Sequence, residues 1–216
     1  MKKNLLIFAA FNIGYQVWMA ENLNVEKFRN GDPIPHAKTR EEWEKARGNK
    51  EPAWCYYDND PVNGVWYGKL YNWYAVNDPR GLAPEGWHVP SDDEWTKLTD
   101  YLEGEDNAGG KLKQTGIKHW NSPNLNIPHL KTASPNYIAT NFRVTNETGF
   151  TALPGGSRND YGYFNSIGYN GRWWSATATE YSDSNACFRC MSYSYSSVSR
   201  HDLNKACGLS VRCLRD

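Results

Sequence analysis

Cysteine and histidine are the residues through which this chain could carry redox or metal chemistry, and their spacing supports neither. Cys187 and Cys190 form a Cys-x-x-Cys pair. Residues three apart on a regular strand point to opposite faces, so this pair cannot share a metal or close a disulfide without a bulge. Cys207, approaching from another strand, keeps a copper or redox site open as an alternative. With Cys55 and Cys213 the total is five, an odd number at irregular spacings. A monomer would then hold at least one free thiol, and a disulfide framework is a poor reading. Cys213 reads as a small core hydrophobe. His36, His88, His119, His129 and His201 are scattered, with none in a His-x-x-x-His spacing. His88, beside Trp87 and Pro90, reads as a structural histidine.

The acidic clusters have simpler explanations. Asp92, Asp93 and Glu94 follow Ser91, and Ser91 with Glu94 forms a capping box while the two Asp residues suit the first turn of a helix. Tyr57-Asp58-Asn59-Asp60 resembles a fragment of a calcium loop but lacks the later ligands and the twelfth-position Glu. No cofactor is expected, though an irregular calcium site is left open beside the copper alternative.

Binding chemistry is better represented. Between Tyr181 and Cys207, 18 of 27 residues are Ser, Tyr, Cys, Asp, Asn or His, and Glu, Gln, Trp, Gly and Pro are absent. Ordinary surfaces carry Lys and Glu freely. Tyr, Ser and Asn are instead the residues of paratopes, because Tyr offers rigid contact area at low entropy cost and Ser and Asn adapt their hydrogen bonds. The candidate ligand-binding residues are Tyr161, Tyr163, Tyr169, Arg172, Tyr181, Asp183, Cys187, Tyr193, Tyr195, Ser199, His201 and Asp202. On a strand, Cys187, Tyr193 and Tyr195 share a face opposite Phe188, and Arg189 joins that exposed face. All six over-represented types are also reachable from an Asn codon by changing its adenines.

The elements that must hold such a face follow from composition and periodicity. The 216 residues carry 24 basic and 24 acidic side chains, and this balance argues against a phosphate-tracking, nucleic-acid-binding surface. A mean hydropathy of -0.77 and the lack of an apolar run near 18 residues exclude a spanning helix. Lys2 and Lys3 before the apolar residues 5–11 imitate a secretory signal. No small-residue cleavage site follows, so the stretch reads as a first strand. Ten Trp, 14 Tyr, 18 Gly and 11 Pro favour short strands and loops. Two helices are expected. One is capped by Thr39 and closed by Gly48; the other is capped by Ser91, with Trp95, Leu98, Tyr101 and Leu102 on one buried face and a stop near Gly104. Strands are expected at 5–13, 65–74, 149–153, 173–177, 186–195 and 209–214, the last with Leu209, Val211 and Cys213 opposite Ser210 and Arg212. Residues 103–147 read as mostly loop, and residues 1–216 as a single domain. Trp18, Trp73, Trp87, Trp95, Trp173 and Trp174 should form the core.

Several runs carry a resemblance. QVWMAENL (16–23), YGKLYNWYAV (67–76), GWHVPSDDEW (86–95), NETGFTALPGG (146–156), WWS (173–175) and GLSVRCLRD (208–216) resemble, in order, the Fibrobacter succinogenes major paralogous domain. The resemblance implies an α+β, C-type-lectin-like fold of twisted antiparallel sheets, two main helices and long loops, related to formylglycine-generating enzymes. It implies that the chain ends pair in one sheet, that a helix follows the Trp-His-Val-Pro segment, and that the C-terminal third makes an antiparallel sheet. The sugar-binding tripeptides of calcium-dependent lectins are absent; Ser122-Pro123-Asn124 and Ser134-Pro135-Asn136 lack the carboxylate. The biased region, about 157–207, is similar to the variable region of diversity-generating retroelement proteins. The expected function is therefore non-catalytic display of a diversified face to a protein or cell-surface ligand, on a cell surface, in a secreted protein or on a phage virion. A fixed binding module of the same family, or a formylglycine-type copper oxidase, are the alternatives. No oligomeric state is legible.

Overall fold

The computed structural model describes residues 8–121 and 144–216. Residues 5–7 of the first expected strand, His129 and the two Ser-Pro-Asn tripeptides lie outside them. The chain ends do pair in one sheet. Its order is β1 (Ala10–Ile13), β2 (Gln16–Met19), β11 (Leu214–Arg215) and β5 (Trp87–His88), all antiparallel. The second sheet holds β10 (Ser199–Asn204), β9 (Asn185–Ser192) and β8 (Asn170–Ala178), with β9 central. Two short antiparallel pairs complete the framework, β3 (Trp54–Cys55) with β4 (Leu70–Tyr71) and β6 (Gly155–Arg158) with β7 (Phe164–Ile167).

The segment 208–214 joins these pieces, which is why it does not form the single expected strand. Gly208 exchanges backbone hydrogen bonds with Arg158 on β6, and Leu209 does so with Tyr71 on β4. Ser210 bonds Arg172 and Trp174 on β8, and the Val211 and Cys213 carbonyls accept from Leu23 and Met19. One extended segment thus serves four partners in turn. Both of its faces are buried, that of Ser210 and Arg212 as well as that of Leu209, Val211 and Cys213.

Both anticipated helices form with their caps. In α1 (Arg40–Asn49) Thr39 accepts from the Glu42 amide, and in α4 (Asp92–Tyr101) Ser91 accepts from the Glu94 amide; each Glu side chain returns the bond. The first ends at Lys50 in the left-handed region rather than at Gly48. Trp95, Leu98 and Leu102 are buried, but Tyr101 turns outward over Gly14. Among the described residues three further helices join the two expected. The expected strand at 65–74 is instead the end of α2 (Pro61–Tyr67), then β4, then α3 (Trp73–Val76). Asp60 and Asn72 cap these helices, and Gly68 at φ 72° separates α2 from β4. Within the expected loop, α5 (Glu105–Leu112) packs Gly109 against the Ser196 and Ser197 carbonyls so closely that an added Cβ would lie 2.4 Å from one oxygen. The expected strand at 149–153 is reduced to a bridge between Ala152 and Lys113.

Tryptophan organises the interior. The six expected core tryptophans are all buried, joined by Trp43, Trp54 and Trp120. Adjacent Trp173 and Trp174 project from opposite faces of β8 into two clusters. Trp173 meets Trp18, Trp95 and Phe150, and Trp174 meets Tyr71, Phe188 and Leu209. Loops bring many carbonyls inside without ladder partners, and buried carbonyls require donors. Cationic side chains provide them. Arg158 donates to Ala37, Thr39 and Gly162, and Arg212 to Met19, Ala20 and Phe150, at 2.7–3.1 Å.

Candidate ligand-binding face

The candidate residues sit on and around the β8–β9–β10 sheet, which is covered differently along its length. One face of β9 meets the core through Ala186 and Phe188. The other carries Cys187, Arg189 and Met191, and over Arg189 it is covered by α4. Arg189 is therefore not exposed as expected but 0% accessible. Its guanidinium donates to Asp92 Oδ1 at 2.9 Å, Glu105 Oε1 at 2.7 Å and Thr96 Oγ1 at 2.9 Å. The second Asp92 oxygen accepts from Arg200 Nε at 2.6 Å. This network ties α4 and α5 to β9 and β10, and a buried cation held by two carboxylates and a hydroxyl is a structural anchor.

Next to the network α4 no longer covers the sheet, and a cleft of about 280 Å³ opens. Cys187, 5% accessible, lies at its floor. Arg200 and Asp202 of β10 border one side, and residues 177–181 at the end of β8 border the other. Tyr181 stands at the rim, 96% exposed. The structure thus gathers four of the expected residues, Tyr181, Cys187, His201 and Asp202, around one cavity. His201 borders it, but its ring lies 5.7 Å from that of Phe188, on the other side of the sheet.

The remaining eight are distributed elsewhere. Tyr161 and Tyr163, in the β6–β7 turn, lie beneath the guanidinium groups of Arg47 and Arg40 at 4.4 and 4.3 Å. Tyr169 and Tyr193 form an edge-to-face pair at 5.2 Å. Arg172 is turned toward the protein, donating to Ser157 Oγ at 2.7 Å and Asn165 Oδ1 at 3.2 Å. Asp183 is exposed, and its carbonyl accepts from Lys205. Ser199 is half-buried opposite Cys190, while Tyr195 is exposed in the β9–β10 loop.

Sequence reasoning missed the residue that fixes that loop. Lys113, just past α5, is 2% accessible and donates to the Ser192 and Tyr195 carbonyls. Among the described residues no carboxylate pairs with it, and burial pulls its pKa down to about 8. Glu180, Thr177 and Arg200 were also not singled out. No local pattern marks them, because the cleft is assembled across three strands.

The thiols are not activated. Burial pushes Cys55, Cys207 and Cys213 up to about 12 and raises Cys187 and Cys190 as well, so all five are protonated at neutral pH. Cys187 and Cys190 occupy opposite faces of β9, as their spacing requires. Among the described residues no three His, Cys, Asp or Glu side chains are placed to hold a metal ion. Asp60 of the calcium-like fragment caps α2 through the Val62 amide. His88 bridges Asp216 Oδ1 at 2.7 Å and Glu94 Oε1 at 3.1 Å, linking the α4 cap to the chain end.

With its ends paired, its Trp-His-Val-Pro segment leading into α4 and its C-terminal antiparallel sheet, the chain is an α+β protein. The model of the Fibrobacter succinogenes major domain matches residues 11–215, and the chain belongs to that family. No curated protein and no solved structure matches it.

Proposed function

We propose that this chain is a non-catalytic binding protein on a C-type-lectin-like scaffold, whose C-terminal region, about 157–207, presents a Tyr- and Ser-rich face to a protein or cell-surface ligand. The observation that carries the reading is the state of the tyrosines. Of the six between 157 and 207, Tyr161, Tyr163, Tyr169, Tyr181 and Tyr195 are exposed and Tyr193 is half-buried. Exposed tyrosine offers apolar contact area and a hydroxyl at once, which suits an interface rather than solvent.

Retroelement diversification of this region is part of the proposal, and burial limits where it can act. Cys187, Ser196 and Cys207 belong to the biased set but are buried, so variation at those codons would disturb packing. The DNA around the gene tests this. A reverse transcriptase with a near-duplicate of codons 157–216, mismatched at adenines and mainly at the exposed Tyr, Ser, Asp and His codons, is expected. Absence of both leaves a fixed binding module. A screen against extracellular protein and glycan arrays tests binding itself, and ligands that bind a Tyr169→Ala/Tyr181→Ala/Tyr195→Ala variant as tightly as the parent overturn the assignment of the face.

A further inference from the structure

β10 is the outer strand of its sheet, and its hydrogen-bonding alternation can be read from the flanking bonds. The Lys205 amide donates to the Ser184 carbonyl, and the Tyr193 amide donates to the Tyr169 carbonyl. Carried through the register, these bonds make Ser199, His201 and Leu203 the residues that pair with β9. Arg200 and Asp202 then turn their backbone N–H and C=O groups away from the sheet. Among the described residues no strand, helix or side chain takes them up. An edge of this kind accepts another strand.

The side chains along the edge favour one kind of strand. Arg200, the cation of the adjoining cleft, is already neutralised by Asp92 at 2.6 Å. Asp202 accepts from the Asn185 amide group at 2.6 Å, and neither it nor Glu180 has an ion-pair partner among the described residues. The cleft beside the edge therefore holds two uncompensated carboxylates. A strand added to β10 would lie about 4.8 Å away, with cross-strand Cβ atoms about 5 Å apart. A lysine or arginine opposite Asp202 reaches its carboxylate directly, whereas an acidic residue there is repelled.

We propose that β10 binds an extended peptide segment of a partner protein as a fourth strand, with main-chain bonds at Arg200 and Asp202 and a basic side chain answering Asp202 and Glu180. This rests on the reading of the C-terminal region as a binding face and specifies its partner as an extended basic segment.

The probe is a phage-displayed library of random twelve-residue peptides, panned on the full chain. Enriched peptides should carry Lys or Arg at alternate positions. A synthetic copy of one should slow deuterium exchange of the Arg200 and Asp202 amides at least tenfold, and should bind Glu180→Lys/Asp202→Lys at least tenfold more weakly. Asp202→Pro removes an outward N–H that β9 does not use, so it should keep the melting temperature and lose the peptide. Should that variant fail to fold, the charge-reversed pair carries the test. Peptides without charge preference, or an empty library, overturn the proposal. Peptides that instead protect Tyr161 and Tyr163, or Tyr169 and Tyr193, overturn it while leaving the wider binding reading intact.

Discussion

Two populations of aromatic residues divide the molecule. Nine of the ten tryptophans are buried, and the tenth, Trp66 at 49% exposure, is stacked under Lys118 at 3.9 Å. The tyrosines between 157 and 207 reach the surface instead, and they sit in the turns at the strand ends while Trp173 and Trp174 lie within β8. Tryptophan removes more apolar area from water, and it brings only a single N–H inside, which for Trp174 meets the Tyr71 carbonyl at 2.9 Å. Tyrosine gives up less by remaining exposed. Interior and surface are thus assigned to different ring types.

The largest test of that division is Trp174→Ala, which deletes a ring of one main cluster and leaves the Tyr71 carbonyl with the Leu209 amide as its remaining donor. A loss of about 3–5 kcal/mol or outright unfolding is expected in a denaturant melt; a folded variant of near-parental stability would break the comparison. Asp92→Ala comes next. It strips one carboxylate from buried Arg189 and the partner from Arg200, and a loss of about 3 kcal/mol is expected by thermal unfolding.

Lys113→Met should have a smaller, pH-dependent effect. Burial lowers the folded pKa from 10.5 to about 8, so between those values the unfolded chain binds the additional proton. Stability of the parent relative to the methionine variant should therefore rise as pH increases from about 8 to 10.5. Parallel stability curves for the two proteins would show that Lys113 titrates normally. Tyr195→Ala and Tyr181→Ala complete the series, each within about 0.5 kcal/mol of the parent. A loss at either site comparable to that at Trp174 would erase the distinction between scaffold and display.

Local signals were legible wherever the residues that define an element are neighbours in sequence. The Thr39 cap and the capping box of Ser91 with Glu94 located α1 and α4, and the Trp pair located β8. The failures share a cause in tertiary context. Gly109 and Gly110 read as loop, yet α5 requires glycine where the Ser196 and Ser197 carbonyls press against it. Arg189 read as exposed because alternation alone cannot show that a helix covers β9. Residues 65–74 read as a strand because their aromatic density outweighed the cap at Asp60, followed by Pro61, that starts α2. At the candidate face, the residue types were readable from composition. The cleft was not, because it forms where the cover over the sheet ends.

The buried cations have a consequence for how this protein can change over generations. Arg158, Arg212 and Lys113 hold surrounding loops chiefly by carbonyl oxygens, and every amino acid carries one. Such a grip is indifferent to the identity of the residue it holds. With Ser196 and Val198 buried beneath it, the loop from Ser192 to Ser199 can therefore change its outward side chains, Tyr195 among them, while Lys113 keeps the same two points of attachment, so its shape is inherited even where its outer sequence is not.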